Sequence, residues 1–153
     1  MKSLSGTEFD LQYMRSMYQL HSDTQALAEV ELKSTMDAGL RQLSDNIRHE
    51  QYDLNKKLET WYSQATGKQI SEYCIDSNAE YRRLQKANMR HFDAEYVDIM
   101  LDYLQRAKDA STLLLSKSSH SDLRSQATIV IKASDKEKAA LQRWIKNQPM
   151  FTS

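Results

Sequence analysis

The sequence predicts an all-α fold: a four-helix bundle made of two copies of one helical hairpin, joined by a partly helical crossover. Three observations lead there. Only three Gly and one Pro occur in 153 residues, far too few for an all-β chain with a turn about every ten residues. Phe9, Tyr13, Met17, Leu20, Thr24 and Leu27 recur at helical spacing and form one apolar stripe. The chain also repeats itself. Shifted by 83 residues, Phe9 falls on Phe92, Asp10 on Asp93, Tyr13 on Tyr96, Met17 on Met100, Leu32 on Leu115, Leu40 on Leu123, Arg41 on Arg124, Leu58 on Leu141 and Trp61 on Trp144. A gapless register of that length marks two copies of one supersecondary unit.

The length suits one domain spanning 1–153. Unit one covers about 5–66, the crossover about 67–91 and unit two about 92–148. In unit one, Ser5 and Glu8 have the spacing of a capping box for the first helix. A turn near Met36 follows, and Asp37 is placed to cap a second helix with the stripe Leu40, Leu43, Ile47, Gln51, Leu54, Leu58 and Trp61. Gly67 is its stop, because glycine takes the left-handed conformation cheaply. In the crossover, Ile70, Tyr73, Cys74, Tyr81 and Leu84 fit a further helical stripe. Unit two repeats the plan with Phe92, Tyr96, Met100, Tyr103, Ala107 and Leu114, a turn near Ser119, and then Leu123, Ala127, Val130, Ser134, Glu137, Leu141 and Trp144. Pro149 marks the end. Turns of a few residues make each helix pair antiparallel. A hairpin with one apolar stripe must bury it against another, which yields the bundle.

The stripes contain a few polar positions. About the turn near Met36, residues whose numbers sum to about 72 lie level, so His21 faces Gln51. On a helical wheel His21 stands roughly 40° from Met17, with Met14 roughly 60° from Met17 on the same side. Met14, Met17 and His21 thus share one strip of helix, a sulfur and nitrogen set that suits a soft ion such as Cu(I). The competing reading makes both methionines gap-filling core residues, with His21 hydrogen-bonded to Gln51. Ser134 and Glu137 fall in the corresponding layer of unit two. With His21 and Gln51 they form a polar core layer, read either as a site or as a satisfied layer that sets helix register.

His49 points away from the core, His91 precedes the third long helix and His120 lies in the second turn, all surface or capping positions. Asp10 and Asp93 fall in opening helical turns, where negative charge favours the helix dipole. Lys+Arg and Asp+Glu balance at 21 each, which argues against nucleic acid as a partner. The single Cys74 forms no internal disulfide and no thiolate cluster. No apolar run reaches the length of a transmembrane helix. The opening MKSLSG lacks the apolar core of a signal peptide, as a processed chain also would. Glu-x-x-His, His-Glu-x-x-His, Gly-x-Ser-x-Gly, phosphate-binding glycine loops and Cys-x-x-Cys are all absent. The expectation is a protein that is not an enzyme. An enzyme would require His21 and Glu137 to line an open pocket.

Phe-Asp-x-x-Tyr-x-x-x-Met from Phe9 to Met17, His21 four residues later, Ala28, Ile47-x-x-x-Gln51 and the closing Trp61 together resemble the bacterial "domain of unknown function 305" family. That ferritin-like helical group includes CopM-type periplasmic copper-binding proteins. The related "domain of unknown function 4142" family shares much of the pattern, with a single histidine as here. The resemblance covers roughly 9–62 and 92–145. It implies a ferritin-like up-down bundle, a periplasmic or secreted location and copper as the ligand. The family's first helix typically reads Met-x-x-His-His and then Met-Ala, and its second carries Gln-x-x-Glu-x-x-x-Met before Trp. Met17 and His21 match, whereas Leu20, Leu27, Leu54 and Leu58 replace ligand-type residues, and Tyr103 and Leu104 replace both histidines of unit two. The resulting expectation is a bundle of the bacterial envelope, binding copper(I) weakly through Met14, Met17 and His21. The alternative is a structural or protein-interaction bundle, including a homo-oligomer, with no metal site. Physiological partners are not legible in the sequence.

Overall fold

Each hairpin closes on a three-residue turn whose chemistry is duplicated along with the helices. The computed structural model describes residues 6–70, 78–89 and 91–148. Ser5, Tyr73, Cys74 and Pro149 lie outside them. The helices are α1 Gly6–Ser34, α2 Ala38–Thr66, α3 Ala79–Lys86, α4 Phe92–Lys117 and α5 Ser121–Lys146. In the first turn the Thr35 hydroxyl accepts from the Asp37 N–H at 3.1 Å, and the Asp37 carboxylate accepts from the Leu40 N–H at 2.8 Å. Ser118 and His120 repeat both bonds in the second turn, Ser118 accepting from the His120 N–H at 3.1 Å and His120 from the Leu123 N–H at 3.3 Å.

Arginine completes the motif. Arg41 donates back to the carbonyls of Leu32 and Thr35 at 3.1 and 2.7 Å, and Arg124 to those of Leu115 and Ser118 at 2.5 and 3.0 Å. The last carbonyls of a helix have no partner within it, so a cation there satisfies both their hydrogen bonding and the helix dipole. Arg41→Ala and Arg124→Ala should therefore each cost about 1 kcal/mol, read as a shift of the urea midpoint. A change within a few tenths would mean that water replaces the guanidinium.

The end of α2 behaves as the spacing predicts. Gly67 stops α2 at φ 70°, its N–H bonded to the Ser63 carbonyl. The apolar stripes turn inward: Tyr13, Met17, Leu27, Leu40, Ile47, Leu58, Tyr96, Met100, Leu114, Leu123 and Leu141 are all buried. They form two layers of core. One gathers Leu27, Leu40, Ile47, Tyr96, Met100 and Leu141, and the other Tyr13, Met17, Leu54, Leu58, Leu114 and Val130. Leu20 touches both. In the crossover, α3 starts on an Asn78 cap and buries Leu84 completely, with Tyr81 packed beside it. Arg83 ties it to α4 through Glu95 at 2.5 Å.

Contacts between hairpins set the topology. The Tyr13 hydroxyl meets Ser111 Oγ at 2.8 Å, and the Thr35 hydroxyl donates to Asp93 at 3.0 Å. The start of α1 therefore lies against the end of α4, and the reverse holds at the other end. On the opposite side of the bundle α2 packs on α5, where Gln126 donates to the Leu54 carbonyl at 3.3 Å. Since α1 is antiparallel to both α2 and α4, those two run the same way. The order is up-down-down-up with one long crossover. The crossover must travel the length of α2, about 40 Å at the helical rise, and this explains its own helical turn.

The hairpins also clasp each other's turns. Trp144, closing α5, donates its indole N–H to Asp37 at 3.1 Å. Trp61, closing α2, sets its ring 6.4 Å from that of His120, which occupies Asp37's place in the second unit. Duplication thus yields an approximate two-fold relation between the halves. No helix among the described residues is long and apolar enough to cross a membrane.

Candidate metal centre

Helix α1 carries Met14, Met17 and His21 inward, 2%, 1% and 0% exposed. Helical spacing selects this result, since the three share the edge of the stripe that must face the bundle. His21 Nδ1 is hydrogen-bonded to the Gln51 side-chain oxygen on α2. A carbonyl oxygen only accepts, so the imidazole proton sits on Nδ1. Nε2 is then a bare lone pair, buried and without a hydrogen-bond partner. Burial holds the His21 pKa down at about 4, against a smaller upward pull from Gln51. The ring stays neutral and Nε2 basic across the physiological range, the form that ligates metals.

Met14 and Met17 belong to the apolar layer with Leu54, Leu58 and Val130. Their thioethers thus serve as packing as well as being soft donors. Among the described residues no group of three or more His, Cys, Asp or Glu is placed to hold a metal. The donors gathered on this strip of α1 are one imidazole and two thioethers, a set of the soft class.

The polar layer expected across the bundle divides in two. His21, Gln51, Ser134 and Glu137 are all buried. His21 pairs with Gln51, whereas the Glu137 carboxyl lies against Glu50 of α2. A groove of about 600 Å³ on the outer side of the first hairpin is lined by Tyr18, Glu59, Ser63 and Ile70, and neither His21 nor Glu137 enters it. The remaining histidines sit on the surface or at caps. His49 is exposed, bonded to the Asp45 carbonyl at 2.9 Å, and His91 precedes α4 without capping it.

Sequence reading missed the buried ionisable side chains Asp23 and Glu31 of α1. Glu31 on α1 is 0% exposed, with its carboxyl against Asp93. The repeat contained the signal, because the 83-residue offset places Glu31 on Leu114, a member of the second stripe. Asp10 and Asp93 also do more than favour a dipole: Asp10 is 8% exposed, and Asp93 receives the Thr35 hydroxyl.

Comparison with known proteins agrees with this architecture. The chain aligns with solved structures of CopM in the Cu(I)-bound form at 23% identity and TM-score 0.80, covering 90% of this chain and 96% of that one. The apo form of CopM gives the same identity and TM-score, with 92% and 98% covered. A DUF305 fragment from Deinococcus radiodurans gives TM-score 0.83 at 16% identity, over 95% of this chain and all of that one. At such identities the likeness establishes the helical fold. No curated protein matches the sequence. The model of DUF305, described as a domain of unknown function, matches residues 10–145, across both hairpins. The chain is a member of the DUF305 family.

Proposed function

We propose that this protein binds a soft metal ion, copper(I) first among them, inside its first hairpin and catalyses no reaction on it. The observation that carries this reading is the buried, unprotonated Nε2 of His21, which meets no hydrogen-bond donor. A desolvated lone pair with no partner is costly to keep, and a metal ion would repay that cost. Met14 and Met17 supply thioethers on the same strip of α1. Gln51 holds the tautomer that leaves Nε2 open, an outer-shell role common for ligating histidines. Related folds solved with Cu(I) and with silver point the same way. With a single imidazole, affinity should be modest. The ion is then cargo or a stress ligand of an exported envelope protein, which fractionation of the native host would locate.

The test is an anaerobic Cu(I) titration against a competing chelator. One equivalent should bind to the wild type, fall at least tenfold in affinity in Met17→Leu, and vanish in His21→Ala. No competition by the wild type would sink the proposal. One observation favours a second reading, a bundle that acts through packing and partners alone. Met14 and Met17 are embedded among Leu54, Leu58 and Val130, where thioethers need no metal to justify them. That reading predicts equal, negligible copper uptake by all three proteins.

A further inference from the structure

Two buried carboxyls are used neither by the apolar packing nor by a soft-ion centre, and both lie on the seam between the hairpins. Glu31 on α1 is 0% exposed, and its carboxyl lacks a donor of its own, the Thr35 hydroxyl beside it being given to Asp93. It lies against Asp93 at the head of α4, whose Oδ2 already takes the Thr35 hydroxyl at 3.0 Å. Glu137 on α5 is 6% exposed, its Oε2 also lacks a donor, and it lies against Glu50 of α2. Ionised carboxylates only accept hydrogen bonds, so two of them hold each other only with a proton between.

The duplication shows that neither acid is a packing requirement. At an offset of 83, Glu31 corresponds to Leu114 and Glu137 to Leu54. Both leucines sit in the apolar core. At these two positions one unit has an acid where the other has leucine, and each acid reaches across to the opposite hairpin.

We propose that Glu31–Asp93 and Glu50–Glu137 each share one proton, and that these two protons form an acid latch between the hairpins that loosens as pH rises. The surroundings supply little compensating charge. Glu31 also feels Asp37 from the head of α2 and the hydroxyl of Thr35, and Tyr96 of α4 lies within reach of both Glu31 and Glu137. The cation acting on Glu137 among the described residues is Lys136 of its own helix. On α3, Arg83 is engaged by Glu95 and Asp98, and Glu80 faces Arg106. On α5, Trp144 serves Asp37.

Burial, then the Asp93 carboxyl, pushes Glu31 up to about 10. Burial, then the Glu50 carboxyl, raises Glu137 as well. The folded chain therefore holds protons that the unfolded chain has released above the usual carboxylate range. Their contribution to stability is complete at or below pH 4.5, the ordinary carboxyl value, and is lost as pH climbs toward the raised values.

The experiment is urea unfolding of the full chain between pH 6 and pH 8 for wild type, Glu31→Gln, Glu137→Gln and the double variant. Glutamine keeps the shape and can donate its N–H to the facing carboxylate. Each retained proton makes the folding constant fall about tenfold per pH unit. The wild type should fall about a hundredfold per unit relative to the double variant, and each single variant about tenfold. Variants that parallel the wild type would overturn the latch. Should the glutamine chains not fold, Glu31→Leu and Glu137→Leu, the side chains of the other unit, take their place. Infrared spectroscopy of the wild type gives a direct reading: a protonated-carboxyl band must be present at pH 7, and its absence also overturns the proposal.

Discussion

Leu58→Ala and Leu141→Ala should each destabilise the protein by about 2–5 kcal/mol, and the double variant by about the sum. The two leucines are equivalent in the repeat and each is 0% exposed. Truncation removes their transfer free energy and leaves a cavity that the helices close only in part. They sit in different layers, Leu58 with Tyr13, Met17 and Val130, and Leu141 with Ile47, Tyr96 and Met100. Residues without shared partners act independently, so additivity is expected. Since domains of this size are stable by only about 5–15 kcal/mol, the double variant should be near the limit of folding. Urea denaturation at pH 6 measures all three. Losses under about 1 kcal/mol would mean that these positions collapse easily, and a strongly non-additive pair would show the two layers to be coupled.

Acid should weaken the bundle through His21. Its pKa is lowered from 6.5 to about 4 by burial. In this interval the unfolded chain binds a proton that the folded one refuses. The contribution is therefore present in full above pH 6.5 and is lost as pH falls toward about 4. A shift of that size corresponds to about 3 kcal/mol, a large share of the total. His21→Leu should start lower, by about 1–3 kcal/mol, because Gln51 loses its partner. Relative to the wild type its profile should be flatter between pH 4.5 and 6.5. Parallel profiles would show that His21 is not the neutral, buried group described. The same neutrality bears on the metal reading. Cu(I) held by Nε2 should persist to about pH 5, whereas a solvated histidine already loses its metal to protons near its usual pKa.

These two limbs oppose each other. His21 favours higher pH and the carboxyl pairs favour lower pH, which places maximal stability in the mildly acidic range. A chain with the leucines of one unit at the acid positions of the other would shift that optimum upward.

Much of the architecture was legible because helical spacing is a local property. Phe92, Tyr96, Met100, Tyr103 and Ala107 had to share a face whatever lay opposite, and all five are buried. The pairing of His21 with Gln51 was also readable, since a three-residue turn sets which residues of a hairpin lie level. The turn around Asp37 announced itself by its capping residue. Glu31 escaped notice because a lone glutamate on a helix usually marks the solvated face. Only its alignment with Leu114 places it in the core. The partners within the polar layer were not legible for a different reason. Ser134 and Glu137 belong to another hairpin, and their facing residues depend on how the hairpins slide past each other.

By itself, then, the sequence determined the helices, their turns, the two-fold duplication and the inward strip of Met14, Met17 and His21. Each depends on neighbours three, four or a few tens of residues away along one hairpin. Tertiary structure alone decided that α1 lies beside α4 and α2 beside α5, that Glu31 meets Asp93 and Glu137 meets Glu50, and that Trp144 reaches Asp37. Two apolar stripes can bury each other in several registers at similar cost, because hydrophobic burial has no direction. The choice among them falls to the few directional contacts between hairpins, which leave no period in the sequence.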